Sequence, residues 1–203
     1  MSIKSGSTAI KALCLGANKL QKIYLGANLV YKKSGGGGIE FSSCPFPTDW
    51  TKISNTNYTS TNDYGLWNIT SDDYRSTGYL VHRAFDGNNG TAFELMRNVP
   101  RWAEISMPDN ILIKPKEILI CHSYTAATDV IQGYNLNTNE WENIGTLPTQ
   151  GVLAVNTTLV YSGNTYFSKF RLYSTECRSN SGDGRYLNLW EFQITSGIIR
   201  TKN

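Results

Sequence analysis

A chain of 203 residues with a formal net charge of +3 and 17% charged residues suits one ordinary domain plus a small appendage, and is too weakly basic to argue for a nucleic-acid partner. Aromatic residues reach 12%, and Gly, Ser, Thr and Asn recur throughout, a mix that favours short strands joined by polar turns. The sequence holds no long Ala/Glu/Lys/Leu pattern and no apolar stretch of membrane-spanning length, so the expectation is an all-β fold without membrane insertion.

The first twenty residues lack the apolar core of a signal peptide, which predicts synthesis and assembly in a cytoplasm. Leu15-Gly16-Ala17-Asn18 recurs ten residues later as Leu25-Gly26-Ala27-Asn28, and apolar residues flank both copies. Gly tolerates positive φ and Asn is the best non-Gly residue for the left-handed region, so each copy suits a tight reversal. The reading is strand 10–15, turn, strand 19–25, turn, strand 29–33. So small a unit cannot bury a core of its own. Residues 1–33 are therefore expected to form a β-hairpin attachment or oligomerisation device, the alternative being an extra hairpin packed on the main domain. Ser34-Gly35-Gly36-Gly37-Gly38 follows as a flexible joint and favours the former.

Residues 39–203 read as one β-rich domain. Ala103, Ile105 and Met107 share a face, as do Phe170 and Leu172, and the same alternation aligns Trp190, Phe192 and Ile194. Turn clusters at 86–90, 108–110, 135–139 and 179–184 punctuate the strands at the spacing of a sandwich or jelly roll. Trp67, Trp102, Trp141 and Trp190 all lie in strand-like contexts and are assigned to the core. The cysteines, Cys14, Cys44, Cys121 and Cys177, fit no zinc spacing. Reduced, mostly buried thiols suit a cytoplasmic protein, with two disulfides as the alternative.

The stretch Ala84-Phe85-Asp86-Gly87-Asn88-Asn89-Gly90-Thr91 resembles the signature of discoidin domains, also called coagulation-factor type C or galactose-binding-like modules. Trp102–Pro108, Gly133–Trp141, Phe170-Arg171-Leu172-Tyr173 and Leu189–Ile194 are similar, in order, to later landmarks of that family. The resemblance covers roughly residues 65–197 and implies a discoidin-like jelly-roll β-sandwich. The Cys44–Trp50 segment looks like the opening of phage-borne versions, and the N-terminal repeat resembles a tag found on phage and prophage tail proteins. This implies a virion structural protein, in a tail fibre, baseplate or head decoration, present in many copies or as a homo-oligomer. Residues 1–33 would contact other virion proteins, and the sandwich would contact a host surface glycan or a virion neighbour. The alternative is a bacterial carbohydrate-binding module or adhesin.

The 86–91 loop is the leading metal candidate. Asp86 offers a carboxylate, Asn88 or Asn89 an amide oxygen and Thr91 a hydroxyl and a carbonyl, the hard oxygen donors that calcium takes. The family resemblance adds Glu191 from the last strand, and the ion's role would be structural. A metal-free Asx turn is the alternative. Sugar contact is expected on loops at one end of the sandwich, from Tyr74, Tyr79, His82, Arg83, Arg97 and Arg178. Aromatic faces there would stack on the apolar side of a sugar ring while Arg and His bond its hydroxyls. Catalysis finds no motif: His82 and His122 stand outside any nucleophile or H-E-x-x-H pattern, and Asp72-Asp73 reads as turn residues.

Overall fold

The structure, a computed structural model, describes residues 22–25, 28–32, 38–74, 76–95, 100–175 and 187–202, with the backbone alone for 22–32. In chain order the strands are β1 (Lys22–Leu25), β2 (Asn28–Lys32), β3 (Ile39–Phe41), β4 (Thr51–Ser54), β5 (Asn57–Asn62), β6 (Gly65–Ser71), β7 (Phe93–Leu95), β8 (Arg101–Ser106), β9 (Ile111–Ser123), β10 (Val130–Asn135), β11 (Glu140–Thr146), β12 (Val155–Val160), β13 (Lys169–Ser174) and β14 (Leu187–Thr201). One short 3-10 helix, Val81–Ala84, lies between β6 and β7. The chain is an all-β, jelly-roll β-sandwich, as the sequence led us to expect.

One layer is a seven-stranded sheet in the order β11-β10-β13-β8-β6-β5-β4, and the other a five-stranded sheet in which β12-β9-β14-β3 are joined by β7 alongside β14. Alternation decides which residues lie between them. Trp67 and Ile69 of β6, Ala103 and Ile105 of β8, and Phe170 and Leu172 of β13 meet Ile118 and Ile120 of β9 and Phe192 and Ile194 of β14 in one cluster. Gly133 of β10 has no side chain because the Phe167 ring occupies its place, 2.4 Å from where a Cβ would stand.

β1 and β2 form a separate antiparallel pair, with Leu25 opposite Asn28, which matches the second and third strands of the expected N-terminal unit. The expected first strand, 10–15, and the glycine joint at 34–37 lie outside the described residues.

Three tryptophans do not sit where sequence patterning put them. Trp67 does lie in the core, fully buried, and its indole N–H donates to Asn62 Oδ1 at 2.8 Å; the other three depart from it. Trp102 and Trp141 are half-buried on the outer face of the seven-stranded sheet: Ala103 and Ile105 claim the inner face of β8, and Trp141 stands opposite Tyr134, whose neighbour Gly133 takes the inner face of β10 opposite Phe170. Trp190 leaves the Phe192 face because the pairing of β14 with β9 shifts register between Leu189 and Glu191. That bulge puts Leu189 into the core and turns Trp190 toward Ser123 Oγ, 3.3 Å away.

Candidate functional site

Strand pairing gathers a set of turns at one end of the sandwich. Ser54 pairs with Asn57, Ser71 with Ala103, Ser174 with Arg101 and Leu187 with Leu95, so the 55–56 turn and the segments after β6, β7 and β13 emerge together. The ends of β4, β6, β7 and β13 and the starts of β5, β8 and β14 thus lie at one end of the sandwich.

Paired acids brace this end. Arg101 Nη1 lies 3.1 Å from Asp72 Oδ2 and Nη2 lies 3.2 Å from Asp73 Oδ2. The Trp102 N–H donates to Asp72 Oδ1 at 3.0 Å and the Tyr74 N–H to Asp73 Oδ1 at 2.7 Å. Asp72 and Asp73 are turn residues that fix the course of the loop.

Next to this brace the chain assembles a polar-aromatic cluster. Val81–Ala84 buries Val81 and Ala84, which leaves His82 and Arg83 half-buried at the rim. The His82 ring lies 4.4 Å from that of Tyr58, tilted 36°. Tyr74 packs against the core edge, and its hydroxyl accepts a hydrogen bond from Asn55 Nδ2. Tyr58 Oη and His82 Nδ1 are both buried without a hydrogen-bond partner. Burial pushes the Tyr58 hydroxyl pKa up, the Arg83 guanidinium pulls it down, and the Tyr74 phenol pushes it up again. Burial also lowers His82, with Asp86 opposing and Arg83 and Lys52 reinforcing. Tyr74, His82 and Arg83 therefore share one neighbourhood around Tyr58. Tyr79 is half-buried in the adjoining turn, its N–H donating to the Ser76 carbonyl at 2.9 Å. Arg97 and Arg178 lie outside the described residues. Sequence reasoning missed Tyr58, Asn55 and Lys52, which reach the cluster from the β4–β5 hairpin.

The 86–91 loop closes on itself. Asp86 Oδ1 accepts from the Asn88 N–H at 2.9 Å, Asn88 Oδ1 from the Gly90 N–H at 2.9 Å, and Asp86 Oδ2 from Thr91 Oγ1 at 3.0 Å. Gly87 takes a φ of +74°, which lets the chain reverse. Glu191 is buried, and Oε1 accepts from the Phe192 N–H at 3.2 Å. Its Oε2 is buried without a strict hydrogen-bond partner, although the Gly87 and Asn88 N–H groups lie near enough to favour its anion. Burial, then the Asp86 carboxylate, raise the Glu191 pKa to about 8. Asp86 and Asn88 spend these oxygens on the turn's own N–H and hydroxyl groups, the arrangement of an Asx turn, while Asp86 stands close enough to Glu191 for its carboxylate to disfavour the Glu191 charge. Among the described residues no group of three or more His, Cys, Asp or Glu converges, so any cation here would depend on neutral oxygens.

His122 is wholly buried, with Nδ1 3.1 Å from Thr125 Oγ1 and Nε2 2.8 Å from Thr157 Oγ1. Burial lowers its pKa to about 4, which keeps the imidazole neutral. Both ring nitrogens are engaged, so its role is structural. Cys44 and Cys121 are free thiols, Cys44 pushed up to about 11 by burial. Cys14 and Cys177 fall outside the described residues.

No family model and no curated protein matches the chain. Solved structures do. CBM62 of Xyl5A from Clostridium thermocellum is 19% identical with a TM-score of 0.50, over 64% of this chain and 94% of that one. Chitosan-binding module 2 of a chitosanase/glucanase from Paenibacillus sp. IK-5, in complex with chitotriose, is 18% identical with a TM-score of 0.49, over 62% and 92%. The family 32 CBM of NanJ from C. perfringens, in complex with galactose, is 12% identical with a TM-score of 0.47, over 71% and 99%. The likeness to the Clostridium thermocellum module is one of fold.

Proposed function

We propose that this protein is a non-catalytic glycan-binding module whose site is the loop end built from Tyr58, Tyr74, His82 and Arg83. The observation that carries this reading is the pair of buried, unpartnered polar atoms, Tyr58 Oη and His82 Nδ1, beside the half-buried ring of Tyr74 and the cation of Arg83. Unpaired buried polar groups cost about 1–3 kcal/mol each, a penalty that ligand hydroxyls would relieve once the half-buried rim side chains swing aside to admit them. Sugars supply such hydroxyls together with an apolar face for stacking. Chitotriose and galactose are bound by the Paenibacillus and C. perfringens modules named above.

In this reading the sandwich serves attachment. Residues 1–33 dock on a larger assembly, and the loop end faces outward. The phage-type N-terminal repeat and the glycine joint favour a virion, with many copies offsetting weak individual sites. A bacterial adhesin would use the same site without the assembly. Calcium, held by Asp86, Asn88, Thr91 and Glu191, would brace the loop under His82 and take no part in chemistry. A glycan array probed with the multivalently displayed protein tests the binding function: reproducible hits lost in His82→Ala support it, and a blank array rejects it.

A further inference from the structure

The outer face of the seven-stranded sheet carries an ordered chemistry that the loop end does not use. Inward-facing Phe170 and Leu172 send Lys169, Arg171 and Tyr173 of β13 outward. Gln132 and Tyr134 of β10, Trp141 and Asn143 of β11, and Trp102 and Glu104 of β8 share that face through the pairing of these strands. At its centre the Arg171 guanidinium carbon lies 4.0 Å from the Trp141 ring centroid and 4.5 Å from that of Tyr173. Arg171 Nε donates to Gln132 Oε1 at 2.7 Å, and Gln132 Nε2 donates to Asn143 Oδ1 at 2.8 Å. Lys169 Nζ sits 3.0 Å from Glu104 Oε1, which Ser106 Oγ also bonds at 3.0 Å. Tyr134 meets Trp141 edge-on at 5.3 Å.

These contacts fix the guanidinium between two rings by its Nε alone. Its terminal amino groups make no hydrogen bond to any described residue. An arginine so held, its terminal amines unbonded among the described residues and its charge shared only with the Glu104 carboxylate that Lys169 also pairs, is a fork for a further carboxylate. Its surroundings are half-buried aromatic rings interleaved with amides and hydroxyls. The exposed apolar residues Ile53 and Leu66 lie apart, toward the β4 edge. Aromatic rings and arginine anchor protein interfaces as well, but here they alternate with the Gln132 and Asn143 amides and the Lys169–Glu104 ion pair instead of closing into an apolar centre, and that alternation suits the ring faces and hydroxyls of a sugar. Strands lie about 4.8 Å apart, so β11 to β8 spans roughly 15 Å, a flat strip that suits a linear chain better than one terminal sugar.

We propose that this face binds a linear polymer of uronic acids, with Arg171 gripping a carboxylate bidentately and Trp141 and Tyr134 flanking the sugar rings. The proposal rests on reading the domain as a glycan binder but uses a separate surface. Affinity electrophoresis in polygalacturonate tests it, with the methyl-esterified polymer as control and near-UV circular dichroism to verify folding. The native protein should be retarded by the acid polymer and not by the ester. Arg171→Lys keeps the charge and loses the fork, and should weaken binding about tenfold; Trp141→Ala should weaken it as well. His82→Ala should be retarded like the native protein. Absence of retardation, equal retardation of Arg171→Lys, or loss only in His82→Ala would overturn it. Hits on a neutral-glycan array report the loop end independently, so the two readings can fail separately.

Discussion

The imidazole of His82 lies 4.4 Å from the Tyr58 ring, and the polar atoms of both, Nδ1 and Oη, are buried with no partner. Both groups are held by backbone elements distant in sequence, the 3-10 turn Val81–Ala84 and strand β5. Each unbonded atom costs the free fold about 1–3 kcal/mol, which under the proposed function a ligand hydroxyl would offset.

Tyr58→Phe separates these roles. Removing an unbonded buried hydroxyl should stabilise the free protein by about 1 kcal/mol, which at this chain size raises the melting temperature by about 2–4 °C. Affinity for an array-selected glycan should fall several-fold at the same time. Calorimetry and titration on the two proteins read both effects. A higher melting temperature with unchanged affinity would remove Tyr58 from the site.

Calcium should act on stability. Binding to the folded state alone adds about 2.7 kcal/mol when the free ion stands at a hundred times its Kd. Chelation should therefore lower the melting temperature, and Asp86→Ala should abolish the response. Glu191→Gln should abolish it too, while retaining the buried shape. Superimposable melting curves with and without chelator would leave the loop as a metal-free Asx turn.

Much of this was legible in the chain. Ala103/Ile105 and Phe170/Leu172 alternate without a break, so their strands and the inner face could be read directly. Tyr74, His82 and Arg83 could be found because they crowd one stretch of sequence. Tyr58 could not: it looks like any strand residue, and only the β5–β6 pairing, Tyr58 opposite Ile69, carries it to the loop end. Trp190 was misplaced because a bulge changes the parity of side chains along β14, and nothing in Leu189-Trp190-Glu191 announces it. The core assignment of Trp102 and Trp141 failed because an aromatic in a strand fits either face. The deciding information was the smaller Ala103 and Ile105 beside Trp102.

His122 should make the fold acid-sensitive. Its folded pKa of about 4 lies below the ordinary 6.5, so the neutral form is favoured by folding. Its contribution is complete above about pH 6.5 and is lost as pH falls toward 4. Over that window the loss is roughly 3 kcal/mol. Glu191, raised to about 8, pushes in the opposite sense in metal-free protein, so a bulk pH profile mixes the two. The imidazole C–H resonances isolate the site: His122 should remain neutral at pH 5. Titration near 6.5 would contradict the buried Thr125–His122–Thr157 bridge.

Gly133→Ala should destabilise the sandwich by about 1–3 kcal/mol. The new Cβ would meet Phe167 Cγ at 2.4 Å and Cδ1 at 2.5 Å. That ring cannot easily yield. It lies 5.6 Å from both Tyr161 and Phe170, and its backbone is tied to Ile113 by hydrogen bonds of 2.8 and 2.9 Å. Denaturant midpoints measure the loss. Combining the change with Phe167→Leu should give less than the sum of the separate costs, because the branched chain is smaller than the ring. Strict additivity would show that the strain lies elsewhere.

Deleting residues 1–38 should leave a folded sandwich that has lost its attachment. The described core runs from Phe46 to Ile199, and both layers begin at or after Ile39, the first residue of β3. Among the described residues, β1 and β2 pair with one another and with no strand of either layer. Removing them therefore withdraws no described ladder hydrogen bond from the sandwich. The truncated protein should melt cooperatively within a few degrees of the full chain, and glycan-array hits of the loop end should persist. If the protein is a virion component, as proposed, incorporation of the truncated form into particles, followed by tagging both forms during assembly, should fall to background. A truncated chain that unfolds would mean the hairpin belongs to the domain as an extra packed element. One that folds and still incorporates would move the docking surface onto the sandwich itself, where the β4, β11, β12 and β3 edges would be the places to search.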